Sequence, residues 1–282
     1  MLVRAILSTL VISLAASPAA AQDETPVHKW NTVGFSNPES VYVPEGWDRA
    51  VVSSISGEAL EKDGDGFLSL LTLDGEIETL LWVEGLNAPK GMRAHNGVLY
   101  VADIDEVVSI DLESGEIIAR VTAPGAEFLN DVAVAEDGTV YVSDMLRGGV
   151  YRIQGGEAEF WASGDIFTRA NGLLAETDRL LVLTIRAGAV LSVDYETGAA
   201  SVLADGLGAL DGIEKAREGG YFLSDISGAL HHLSDDGTVV TFADSREAGI
   251  GANDLGYHAA TGTILLARYR MNAVSAYGPP EE

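Results

Sequence analysis

The 282 residues include no cysteine and carry 17 basic against 43 acidic side chains, a formal net charge of -26. A charge of that sign is repelled by nucleic acid and by anionic membrane surfaces, and it favours cations near the protein. With 47% hydrophobic and 21% charged residues the chain can bury a core, which excludes disorder driven by low hydrophobicity; disulfides are excluded as a source of stability.

In chain order, the first segment reads as an export signal. Arg4 supplies the positive start, 5–16 is a short apolar run, Pro18 breaks it, and Ala19, Ala20 and Ala21 offer small residues for cleavage. The run is too short and wrongly flanked for a membrane span. Residues 1–21 are therefore expected to be a cleavable signal peptide, with a periplasmic or secreted mature chain from Gln22. No second long apolar stretch follows, so no membrane span is expected.

Six segments then recur: Pro38-Glu39-Ser40-Val41, Pro89-Lys90-Gly91-Met92, Leu129-Asn130-Asp131-Val132, Ala170-Asn171-Gly172-Leu173, Leu210-Asp211-Gly212-Ile213 and Ala252-Asn253-Asp254-Leu255. Their second positions are separated by steps of 51, 40, 41, 40 and 42 residues. Each segment is followed by a turn and a β-prone run, such as Val140-Tyr141-Val142 or Tyr221-Phe222-Leu223. A second hairpin follows, with third strands at 107–110, 150–153, 190–193 and 230–233. A period near forty with short strands and turn pairs predicts propeller blades. The expected fold is all-β: a six-bladed β-propeller with four-stranded blades, one domain over 22–282. The last repeat runs out after 272–277, so its fourth strand is expected from 30–35, closing the ring and removing an open sheet edge. The long first step reflects an insertion at 58–66. Its Asp63-Gly64-Asp65-Gly66 lacks the spacing and closing glutamate of a calcium loop and reads as a solvated turn.

The second position of the repeat holds Glu39, Lys90, Asn130, Asn171, Asp211 and Asn253. It precedes each innermost strand, so the six side chains are expected to ring the central tunnel at one end. Asn-Gly and Asp-Gly are common turn pairs, but hairpin turns here fall at another phase, as in Asp137-Gly138 and Asp236-Gly237, and Glu and Lys are poor turn residues. The ring is rich in oxygen and free of sulfur and imidazole, which suits a hard cation such as calcium. Such an ion polarises a carbonyl or phosphoryl oxygen, and a neighbouring carboxylate can activate water. Asp131 and Asp254, next to ring residues, are open to a supporting or a basic role.

On these motifs the chain resembles the SMP-30/gluconolactonase/LRE-like group, which is related in fold to paraoxonases and diisopropylfluorophosphatase. The resemblance covers essentially the whole mature chain. It implies metal ligation by Glu39, Asn171 and Asp211, with Asn130 as a metal or substrate ligand and Asp211 often also the general base. Two departures stand out. Sugar-lactone hydrolases of the group often carry arginine two residues before the third-blade asparagine, where Phe128 stands; and Lys90 places a cation in the ring. Both point away from gluconolactone as the substrate.

The loops after each second strand open on the ring face and carry Arg147, Arg186, Arg268 and Arg270. Arginine suits carboxylate or phosphate, so these residues, with Lys90 and Asn253, are candidates for binding an anionic substrate group. Asp103, Asp144 and Asp225 end second strands and are expected to bond loop backbone. His95 and His258 stand five residues past the ring, roughly 16 Å away at about 3.3 Å per strand residue. Two readings follow. The first is a hydrolase of a lactone or related ester, dependent on calcium or another divalent cation, with Asp211 or Asp131 as base. The second is a non-catalytic propeller that binds a ligand or a protein partner.

Overall fold

The structure, a computed structural model, describes residues 26–280; the expected signal peptide, 1–21, lies outside the described residues. Six four-stranded antiparallel sheets make up the molecule, five of them built from consecutive strands. The innermost strands are Pro38–Tyr42, Pro89–His95, Leu129–Val134, Ala170–Ala175, Leu210–Lys215 and Leu255–His258. They touch one another in cyclic order, the last against the first, so the six sheets are blades around one axis. The sixth sheet is closed as expected. Val27–Val33 pairs antiparallel with Ala273–Gly278, Trp30 opposite Ala276 and Val33 opposite Ala273. Phe35, at the end of the segment expected to form this strand, instead sits buried in the turn beyond it, its N–H bonded to the Asn272 carbonyl.

The core is divided among the blade interfaces. Val51, Leu68, Met92 and Val101 pack between blades one and two; Tyr141, Val150, Leu173 and Val182 pack between three and four; Leu183, Val190, Ile213 and Leu223 pack between four and five. Middle strands such as Leu180–Thr184 are buried on both faces and read as near-continuous apolar runs, whereas the innermost strands bury the polar ring residues as well. Outermost strands such as Ile117–Thr122 are largely exposed.

Two local devices shape the tunnel. Pairing in the first five blades slips register at or beside the ring residue, for example between Pro89 and Met92, Leu129 and Val132, and Leu210 and Ile213. A bulge there bends the strand and re-aims its side chains. The glycines that follow Lys90, Asn171 and Asp211 serve close approach between blades. A Cβ on Gly91 would lie 2.1 Å from Asp131 Oδ1, one on Gly172 2.0 Å from the Asp211 carbonyl, and one on Gly212 2.2 Å from Asp254 Oδ1.

Aspartates at the ends of the second strands pin the crossovers, as expected. Asp144 accepts from the N–H groups of Glu127, Phe128, Leu146 and Arg147, and Asp103 from those of Asn87 and Ala88. Each buried N–H left without an acceptor costs about 1–3 kcal/mol. Asp144→Ala is thus expected to lower urea stability by at least about 2 kcal/mol; a loss below about 0.5 kcal/mol would show that these bonds contribute nothing net.

Candidate functional site

Glu39, Lys90, Asn130, Asn171 and Asp211 are all buried at the tunnel end of their strands, and Asn253 is half-buried just before the sixth. Electrostatics ties several of them together. Glu39 has its pKa raised by burial first, then by the charges of Asp211 and Asp254, with Lys90 in opposition. Asp211 is raised by burial and by Asp254, while the amides of Asn171 and Asn253 beside it partly offset the rise. Three of these side chains carry a buried oxygen with no hydrogen-bond partner: Glu39 Oε2, Asn171 Oδ1 and Asp211 Oδ2. Among the described residues no three carboxylate or imidazole groups gather into a metal cluster; the ring's donors are two carboxylates supplemented by amides.

The neighbouring aspartates are differently placed. Asp131 accepts from the Val132 N–H at Oδ1 and from the Leu173 N–H of the next blade at Oδ2, 2.7 Å each. Asp254 accepts from the Leu255 N–H and from the Ser40 hydroxyl of blade one. Both therefore clip adjacent innermost strands together. Burial raises the pKa of both, that of Asp254 to about 6.

This has a pH consequence. The folded protein holds the Asp254 proton up to about pH 6, whereas an unfolded aspartate loses it near pH 4. The native state then binds more protons, so stability falls as pH rises through that window. For EDTA-treated protein, urea midpoints are expected to fall from pH 4.5 to 6.5 on this account, and Asp254→Asn should flatten the slope. A slope that Asp254→Asn leaves unchanged would assign it elsewhere.

Lys90 is fully buried. Its ammonium donates to the Ala88 carbonyl at 2.7 Å and to the Ala59 carbonyl at 3.3 Å, and lies 4.5 Å from the centre of the Phe128 ring. Burial lowers its pKa to about 8 against the pull of Glu39. Ala59 belongs to the blade-one insertion, which thus folds inward over the ring. Ala59 and Tyr269 both pack against Ile55, Ala88 and Ile104, so this side of the mouth is covered. Lys90 is thereby engaged with the roof of the ring instead of standing free for substrate.

The four arginines do not form one group. Arg147 donates to the Pro124 and Gly125 carbonyls and to the Tyr151 hydroxyl, and lies over Phe160. Arg268 is buried and donates to the Gly251 carbonyl and to the hydroxyls of Ser245, Ser275 and Tyr277. It stands where blades two, three and five have their pinning aspartate, and it ties the same kind of crossover with inverted polarity. All three nitrogens of Arg268 are thus engaged with the fold in place of the substrate role expected for it, whereas the Arg147 bonds all leave from Nη1 and that residue is exposed. Arg186 and Arg270 are exposed. Among the described residues neither makes a hydrogen bond or ion pair, and Arg270 borders a cavity that includes Asn253.

One pair was not anticipated. Three residues past Lys90 and Asp211 stand Arg93 and Glu214, joined at 2.7 Å from blade two to blade five, with 18% and 13% of their side chains exposed. Arg93 also lies 4.9 Å from the centre of the Tyr42 ring. The common offset from the ring residues was the available signal. The pair bridges opposite sides of the tunnel beneath the ring.

A six-bladed propeller with a polar, partly roofed ring at one tunnel mouth is thus the class of molecule that fold and site define. Solved structures with the same architecture include virginiamycin B lyase from Staphylococcus aureus, at TM-score 0.64 and 12% identity over 90% of this chain and 100% of that one. A catalytically inactive histidine-to-alanine variant of that enzyme with quinupristin gives TM-score 0.60 and 11% identity over 92% and 97%. A streptogramin B lyase gives 0.61 and 11% over the same shares. At such identity the likeness is one of fold. No family model matches the chain, and no curated protein matches it in sequence.

Proposed function

We propose that the protein is a hydrolase of lactones or related esters whose ring holds a divalent cation, calcium in the first instance, through Glu39, Asn130, Asn171 and Asp211. The observation that carries this reading is the set of three partnerless buried oxygens on Glu39, Asn171 and Asp211. Each such oxygen costs about 1–3 kcal/mol, and an oxygen-seeking cation would remove that cost. When bound, such a cation polarises a carbonyl oxygen and stabilises the negative charge that develops on it.

The remaining work falls to the chain itself. Burial raises the pKa of Asp211 towards the range where a general base is effective, so its carboxylate is suited to take a proton from water beside the cation. Asp131 has a backbone N–H on each carboxylate oxygen, which favours Asp211 as base and Asp131 as a brace for the ring. Asn253, beside Asp211, orients the substrate. Arg270 at the rim remains available for an anionic group.

The neighbours in fold are lyases, one of them inactivated by loss of a histidine. In this chain all five histidines lie outside the ring. His231 and His232 sit in the outer hairpin of blade five, bonded to Thr241 and to the Gly219 carbonyl; His28 lies against Tyr277 in the closing strand; His95 and His258 bond Asn96 and Thr261. Hydrolysis through carboxylates fits these residues better than histidine chemistry. A binding protein without catalysis is the second reading, favoured by the Lys90 ammonium, whose charge acts on Glu39 and would compete with a bound cation. Calorimetric titration of calcium into EDTA-treated protein, followed by a lactone and ester screen with and without calcium, separates the two. Absence of binding sinks the cation site, and binding without turnover leaves the second reading.

A further inference from the structure

Tyr269, which packs with Ala59 on the roofed side of the mouth, also borders an opening on the blade-six side. There, between the loops of blades five and six, lies a cavity of about 490 Å³ whose wall includes the ring residue Asn253. Asn253 stands beside Asp211, so the cavity borders the proposed reaction centre through that residue. Its size falls in the range of about 300–1,000 Å³ usual for small-molecule pockets. Ala209, Ile226, Ile250, Tyr269 and Met271 give it largely apolar walls. Two of the polar side chains among them are engaged with the fold, the Ser227 hydroxyl donating to Asp225 and Arg268 tied to Gly251, Ser245, Ser275 and Tyr277, which leaves chiefly Asn253 at the ring end and Arg270 at the rim. A polyhydroxylated sugar ring placed here would lose water and find few replacement partners, a cost of about 1–3 kcal/mol for each hydroxyl left unpaired.

We infer that this cavity is the subsite for an apolar substituent, so that the substrate is a lactone or ester carrying an alkyl or aryl chain in place of a polyol. The inference rests on the hydrolase reading and names its substrate class. The chain packs against Ile226, Ile250 and Met271, while the reacting carbonyl lies towards Asp211. Arg270 at the rim accommodates a chain that ends in an anion.

The test uses the mature protein with calcium, and γ-butyrolactone against γ-decanolactone, which adds a hexyl chain. The hexyl-substituted γ-lactam serves as a probe that resists hydrolysis. Burying a methylene stabilises by about 0.8 kcal/mol, so kcat/KM for γ-decanolactone is expected to exceed that for γ-butyrolactone at least about tenfold, even if only part of the chain is buried. Met271→Glu, on an exposed loop tip, places a carboxylate over the cavity and should collapse that ratio towards one. Ile226→Ala should reduce it about three- to tenfold. The lactam should bind with a negative heat-capacity change, weakened by Met271→Glu. Equal kcat/KM for both lactones, or a ratio that neither variant alters, overturns the subsite while leaving the hydrolase reading intact. If no lactone or ester is turned over, the hydrolase reading falls, and lactam affinity then decides the cavity alone: binding that Met271→Glu weakens supports an apolar-ligand site, and absence of binding overturns it.

Discussion

Asp211→Asn is expected to lower the rate of lactone or ester hydrolysis by about 10²–10⁴-fold, the usual contribution of a general base. The substitution keeps size and hydrogen-bonding capacity but removes both the charge and the basic oxygen. Asp211 is buried beside Asn171 and Asn253, and an amide in its place can satisfy those neighbours, so the variant should fold. Calcium affinity should fall as well, because one of two carboxylate donors is lost. The informative measurement is turnover against calcium concentration. If raising calcium restores near-normal turnover, Asp211 is only a ligand and the base lies elsewhere. If the unmutated protein hydrolyses nothing and Asp211→Asn changes only calcium affinity, the binding-protein reading holds. Asp131→Asn provides a contrast: both its oxygens accept backbone N–H groups, so its loss should register in stability before it registers in kcat.

Arg93→Met is expected to destabilise the fold by about 2–3 kcal/mol. Removing one partner of a buried ion pair usually costs about 3–5 kcal/mol, because the other charge is left without compensation, and the residual exposure of this pair screens part of that. Burial raises the pKa of Glu214 even with Arg93 beside it, so without the guanidinium Glu214 should take up a proton more readily. The destabilisation should therefore shrink as pH falls: the protonated carboxyl no longer leaves a bare charge in the tunnel. The double variant Arg93→Met with Glu214→Leu should recover most of the lost stability, since a buried pair replaced by apolar side chains is often neutral. Urea denaturation of the two proteins at pH 7 and pH 5 checks this. A double variant no more stable than Arg93→Met would show that the loss does not come from the uncompensated Glu214 carboxylate.

Much of the architecture was legible in the residues because propeller blades are local units. Each buries its faces against its neighbours, so the strand pattern must repeat along the chain, and the steps near forty residues give both blade and number. The short last repeat implied the closing N-terminal strand for the same reason: an unpaired edge at the seam would be costly. The alignment of Glu39, Lys90, Asn130, Asn171, Asp211 and Asn253 followed from the period alone. The tertiary structure decided what those side chains and their neighbours meet. The glycines after Lys90, Asn171 and Asp211 read as turn residues or as none; they are explained by Asp131, Asp211 and Asp254 of the following blades, some forty residues on, pressing within 2.0–2.2 Å of where a Cβ would stand. Four arginines fell at the ring-face ends of second strands, yet Arg268 is consumed by a carbonyl and hydroxyls that only the packed crossovers bring near, and Arg147 is anchored through Nη1 to the Pro124 and Gly125 carbonyls. Lys90 looked like a substrate group and is held under the Ala59 carbonyl, because the insertion folds inward. The Arg93–Glu214 bridge joins blades that are far apart in sequence and opposite in space. Strand period is set by the backbone and is local; the partner of a tunnel side chain is set by ring closure, which no single repeat contains.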